Sequence, residues 1–238
     1  LSAIQLLVEE CATRSNILDG IQRLVRKLDE GDCIFTYAGH GTQTVDLPPI
    51  EEPDMLDEAI VPYDAINHHE NFIRDDEIGE KLAQLAPNSH FIVIFDCCHS
   101  ATATRNQPER LEPLLFNSPR EAGKLRCILP DTPINRIQTI INNITSNPKI
   151  EVTKAAPKRH PLERENHILL AACDAAGLAY DDGVHGYFTG ELLKLLKKGI
   201  TYQELYGKVR EKVLLKSWNR QEPHIEGPLL TRKVFGVT

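Results

Sequence analysis

The run from His90 to Phe95 ends in Asp96-Cys97-Cys98-His99-Ser100, so a carboxylate, two thiols and an imidazole follow one apolar, strand-like segment. A second such run, Cys33-Ile34-Phe35-Thr36-Tyr37-Ala38, ends in Gly39-His40-Gly41. In a parallel α/β sheet the carboxyl ends of the strands share one edge, where ligands and catalytic groups collect. A thiol and an imidazole delivered to that edge form a nucleophile and its base. Cysteine attacks a carbonyl carbon as the thiolate and needs a neighbour to take its proton.

Side chains alternate across a strand, so Cys97 and Cys98 point to opposite faces and Asp96 shares the face of Cys98. One of the two thiols therefore turns inward as a small buried hydrophobe, the common fate of a free cysteine. His99 adjoins the thiols but cannot readily turn back to them, and it reads as structural. His40 lies 58 residues upstream of Cys98 between two glycines, whose missing side chains let a substrate approach the backbone closely.

Taken together, Y-A-G-H-G and D-C-C-H-S, separated by an acidic segment and a D-D-E helix start, resemble the caspase-like cysteine peptidases, specifically the metacaspase branch. His167-Ile168-Leu169-Leu170-Ala171-Ala172-Cys173, followed by His185-Gly186-Tyr187-Phe188-Thr189, is similar to the strand and helix of that family's small subunit. The resemblance covers most of residues 4–100 and 166–230. It implies a caspase-like three-layer α/β sandwich, with a mostly parallel central sheet and helices on both faces. It also implies a division into a large-subunit-like part (1–105), an inter-subunit loop (106–165) and a small-subunit-like part (166–238).

For the chemistry, the resemblance implies Cys98, immediately before His-Ser, as nucleophile and His40 as general base and acid. The amides of Gly41 and Cys98 become the oxyanion hole. Asp96, two residues before the nucleophile, becomes the floor of the first substrate pocket, favouring Arg or Lys before the cut through a charge-assisted pair. The plainer reading of Asp96 is a strand-end carboxylate that caps nearby amides. Asp57, Asp75 and Asp76 match acidic positions that bind an activating Ca²⁺ in some metacaspases, and hard oxygen ligands suit that ion. Asp75-Asp76-Glu77 is equally what a helix N-terminus prefers, and this reading stands ahead of the metal, which is not taken as a required cofactor. Three positions depart from the pattern: Ala38 replaces a common serine, Ala101 a glycine, and Arg105 a further metal-binding carboxylate.

Several elements must hold these groups. Ile4–Val8 reads as a short buried strand. Thr13 is an N-cap for a helix with Ile17, Leu18, Ile21, Leu24, Val25 and Leu28 at helical spacing. The strand Cys33–Tyr37 leads to the His40 loop and a polar stretch, read as loop as far as Asp57. Asp75 caps a helix carrying Ile78, Leu82 and Leu85 before the second strand. Residues 102–166 carry many prolines and eleven Lys or Arg residues, with a short helix around Ile134–Ile144; so long a connection is functional or disordered. A strand His167–Cys173, an amphipathic helix Phe188–Lys198 closed by Gly199, and a helix Tyr202–Leu214 follow.

The chain has 238 residues, 41 % of them hydrophobic, enough to bury a core as one domain or two closely packed halves. A net charge of −7 argues against a nucleic-acid surface, and no apolar run reaches the roughly 18 residues of a membrane helix. Six cysteines without framework or zinc spacing point to reduced thiols and a cytoplasmic setting. The start at Leu1, without signal-like sequence, points to a fragment. Family members carry an earlier strand inside the sheet; here it is either removed or left out of this chain, or supplied by an additional polypeptide or a regulatory partner. The expected activity is that of a cysteine endopeptidase acting on protein or peptide substrates with basic residues, and processing itself in the inter-subunit loop. The alternatives are a silent scaffold of the same fold, favoured by the absent strand and the three departures, and an unrelated cysteine hydrolase.

Overall fold

The computed structural model describes residues 4–27, 32–47, 56–65, 68–86, 89–97, 124–125, 167–173, 177–228 and 230–234. Expectations for Cys98, His99, Ser100, Ala101, Arg105 and the Ile134–Ile144 helix lie outside these residues.

The central sheet is built from β1 (Cys33–Ala38), β5 (Phe91–Asp96), β7 (Ile168–Ala171) and β9 (His224–Glu226), in that spatial order. The first three run parallel and β9 runs antiparallel to β7. β5 and β7 are almost wholly apolar because both of their faces are buried, the usual condition of parallel strands packed between helices. Alternation along β5 sends Phe91, Val93, Phe95 and then Cys97 into one core with Ile17, Ile21, Ile78 and Leu82. Ile92 enters the opposite core with Phe188, Leu192, Tyr202 and Leu205. Helices thus cover both faces of a mostly parallel sheet, the expected three-layer α/β sandwich.

On the first face lie α1 (Arg14–Arg26) and α2 (Asp75–Leu82). Thr13 caps α1 by accepting the Asn16 N–H, as its position in the sequence predicts. The α2 start is held by Glu77, which accepts the Arg74 N–H and binds the Arg14 guanidinium. On the second face lie α3 (Tyr187–Leu195) and α4 (Tyr202–Lys216), the latter opened by a reciprocal Thr201–Glu204 capping box. Gly199 turns between them at a φ of 81°.

A buried polar chain joins the two halves at the sheet edge opposite His40. His90 Nδ1 lies 2.7 Å from Asp32 Oδ1, and His90 Nε2 shares a 2.9 Å hydrogen bond with the Tyr202 hydroxyl.

Two expectations are corrected. Ile4–Val8 forms no strand: Ile4, Leu6 and Val8 are 78 %, 77 % and 56 % exposed, and only Leu7 packs toward the core. Among the described residues β1 ends the sheet, and this segment pairs with no strand. The stretch from Gly41 to Asp57 is not simply a loop. It supplies β2 (Gly41–Val45) and the start of β3 (Leu56–Ile60), which with β4 (Ile73–Arg74) make an antiparallel sheet. A small ribbon pairs β6 (Lys124–Leu125) with β8 (Tyr180–Asp181).

Candidate active site

β1 and β5 run in register, Ala38 opposite Asp96, and the Gly39 N–H extends their ladder to the Asp96 carbonyl at 3.4 Å. His40 and Cys98 are each the second residue beyond that paired position in the sequence. The exposed His40 therefore sits at the strand edge toward which the Cys98-bearing chain runs.

His40 is also the hinge into the second sheet. Its carbonyl accepts the Val61 N–H at 3.0 Å, and Gly41 opens β2 opposite Ile60. Antiparallel pairs alternate between hydrogen-bonded and non-hydrogen-bonded types. Since His40 and Val61 bond, Gly41 and Ile60 are a non-bonded pair, and the Gly41 N–H points away from β3.

Asp96 is 1 % exposed. Its Oδ2 accepts the Thr189 N–H at 3.3 Å in the first turn of α3, where backbone amides and the helix dipole favour negative charge. Gly186 makes this approach possible, since a Cβ there would overlap the Asp96 carboxylate. Asp96 thus does cap nearby amides, as the plainer sequence reading has it. The loop ahead of α3 is fixed by Asp182, which accepts the Val184 and His185 N–H groups and pairs with Lys216 Nζ at 2.8 Å. The Lys216 ammonium first, and then these backbone donors, hold the Asp182 carboxyl well below the usual carboxylate range. Lys216 also lies 4.2 Å over the Tyr187 ring.

Cys97 is buried on the α1/α2 face, as strand alternation predicts, and its carbonyl accepts the Cys173 thiol at 3.5 Å.

A separate acidic cluster hangs on the β2–β3 hairpin. Carboxylate oxygens of Asp46, Asp57 and Asp76 all lie within 4.8 Å of one another. Burial, then the neighbouring Asp46 and Asp76 charges, push the Asp57 carboxyl up to about 8, against the opposing pull of Arg74. Arg74 Nε stands 3.3 Å from Asp57 Oδ2. Asp75 is buried beside this group and raised by desolvation and by Glu58 and Asp57, but one of its oxygens accepts the Asp76 N–H. The structure therefore joins Asp57 and Asp76 with Asp46 and leaves Asp75 out of the innermost trio.

Of the residues singled out by sequence, His40, Gly41 and Asp96 gather at one edge, while Cys98 lies outside the described residues. Sequence reasoning missed Asp46, Gly186 and Thr189. No local signal marks the first, which reaches Asp57 only through the hairpin register. The glycine before an amphipathic helix was the signal for the others.

Over 96 residues the chain is 40 % identical to metacaspase-1 of Lodderomyces elongisporus, covering 38 % of this chain and 21 % of that protein. It is 42 % identical over 95 residues to metacaspase-1 of Botryotinia fuckeliana, covering 38 % and 22 %. It is 36 % identical over 93 residues to metacaspase III c of Phaeodactylum tricornutum, covering 38 % and 27 %. The matches thus span between 21 % and 27 % of the relatives' lengths. A crystal structure of a protein from Geobacter sulfurreducens superposes with a TM-score of 0.60 at 22 % identity, covering 94 % of this chain and 77 % of that one, a likeness of fold. Among the described residues no helix is long and apolar enough to cross a membrane. The caspase-domain model matches residues 3–235, and the chain belongs to the caspase-domain family of cysteine peptidases.

Proposed function

We propose that this domain is a metacaspase-type endopeptidase that cleaves after Arg or Lys with a Cys98–His40 dyad. The observation that carries the reading is the register of Ala38 with Asp96, which sets His40 level with the start of the Cys98 segment beside a buried carboxylate. His40 takes the Cys98 proton, and the thiolate attacks the scissile carbonyl. The oxyanion is received by the N–H groups of Gly41 and Cys98. His40 then protonates the leaving amine, and water hydrolyses the thioester. Asp96 accepts the Thr189 N–H and, through its charge, pairs with the basic side chain of the substrate. A panel of peptides varying only the residue before the cut tests this. Cleavage after Arg and Lys is expected, together with fragments from segment 102–166 in intact-mass spectra; a preference for acidic residues overturns it.

The reading extends to a cation and a partner. Asp46, Asp57 and Asp76 supply hard oxygens for Ca²⁺, whose charge would relieve their mutual repulsion, with Asp75 alongside. Folding raises the Asp57 carboxyl from 3.8 to about 8, so the folded chain keeps a proton that the unfolded chain has released. Stability without metal therefore declines as pH rises through 8. Thermal melts should show Ca²⁺ raising Tm more at pH 8 than at pH 6, where the proton competes; equal shifts would count against this site. A strand from an additional polypeptide pairs with the outer edge of β1, which ends the sheet among the described residues.

A further inference from the structure

Tyr37 sits three residues before His40 on β1, opposite Phe95, with its ring edge-on to the Phe95 ring at 6.3 Å and 84°. Its hydroxyl reaches two backbone carbonyls, that of His40 at 2.8 Å and that of Val61 at 3.0 Å. The Val61 N–H in turn donates to the same His40 carbonyl. One phenolic proton shared between two carbonyls ties the His40 backbone to the end of β3, the strand that carries Asp57. The ring also lies directly beneath Gly39. A Cβ on Gly39 would stand 2.5 Å from the Tyr37 oxygen and 2.8 Å from the adjacent ring carbon. Gly39 is not among the residues with positive φ. Its lack of a side chain therefore serves the close approach of Tyr37, not a left-handed turn.

We infer that Tyr37 is a positioning residue for His40, its hydroxyl locking the base-bearing backbone to the β2–β3 hairpin, and that Gly39 is the complement that makes room for it. The inference rests on the assignment of His40 as base. A reacting group displaced by an ångström can lose on the order of 10²-fold in rate, so a backbone tether outside the reacting atoms still controls turnover.

The test is Tyr37→Phe, which keeps the ring and its packing on Phe95 and removes only the hydroxyl. The expected result on a basic peptide amide is a kcat lowered about 10- to 100-fold, with KM little changed, when rates are normalised to thiols titrated by an active-site label. Amide hydrogen exchange at Val61 should quicken as well. A packing role alone would lower Tm and the titrated fraction while leaving kcat per titrated thiol intact, and that outcome overturns the inference. Gly39→Ala should be costly in the wild type and nearly neutral when Tyr37 is already alanine; equal costs in both backgrounds overturn the pairing. Inactivity of the wild type on every peptide refutes the peptidase reading. Unchanged Val61 exchange in Tyr37→Phe refutes the lock whether or not the protein cleaves peptides.

Discussion

Cys98→Ala is expected to lower peptide hydrolysis by on the order of 10⁴-fold or more, as removal of a nucleophile does when the groups around it act as a unit. Cys97→Ala should leave most of the rate. Cys97 is buried with Val93, Phe95 and Leu169 in the core on the α1/α2 face. Its replacement costs about 1 kcal/mol of stability, in the usual range for a small core change. The pair is informative because one substitution acts on chemistry and the other on packing one residue away. His40→Ala should cost about 10²–10⁴-fold for lost general acid–base catalysis, and more because thiolate formation goes with it. Steady-state rates with a basic peptide amide, alongside melts of each variant, check the set. Substantial activity in Cys98→Ala would remove the nucleophile assignment.

The second large effect is expected at Asp96. Asp96→Asn keeps an acceptor oxygen for the Thr189 N–H, so the α3 start should persist, while the charge that pairs with an Arg or Lys substrate is gone. Breaking a buried ion pair by removing one partner costs about 3 kcal/mol or more, roughly 10²-fold in kcat/KM. The loss should fall on basic substrates and spare a neutral one, so the ratio of the two is the measurement. A variant that still discriminates by charge would show that Asp96 serves only as the cap of α3.

How legible these features were in the sequence depends on what each element buries. β5 and β7 were readable because both faces are apolar, and α1 because Thr13 marks its start and Ile17 and Ile21 keep its period. The β2–β3 hairpin was hidden because it buries polar groups on both faces: Thr42, Gln43, Asp57 and Glu58 are all buried. Apolar periodicity carries no trace of such a strand. Ile4–Val8 erred the other way, since an apolar pattern cannot report whether a pairing partner is present. His40 and Asp96 stood out because each ends an apolar run. Asp46 is brought to Asp57 only by the hairpin register, a long-range fact that local sequence does not hold. Gly186 looks like any helix-start glycine until the Asp96 carboxylate is seen against it.

The adjacency of β5 and β7 has a consequence for what a cut in the connecting segment can do. These neighbouring strands come from opposite sides of segment 102–166, and the His90 link to Asp32 and Tyr202 spans the same divide. Severing the connection removes a covalent tether but none of these bonds, so the product is a nicked particle whose two pieces stay paired along β5 and β7. Release of a subunit is then not the signal.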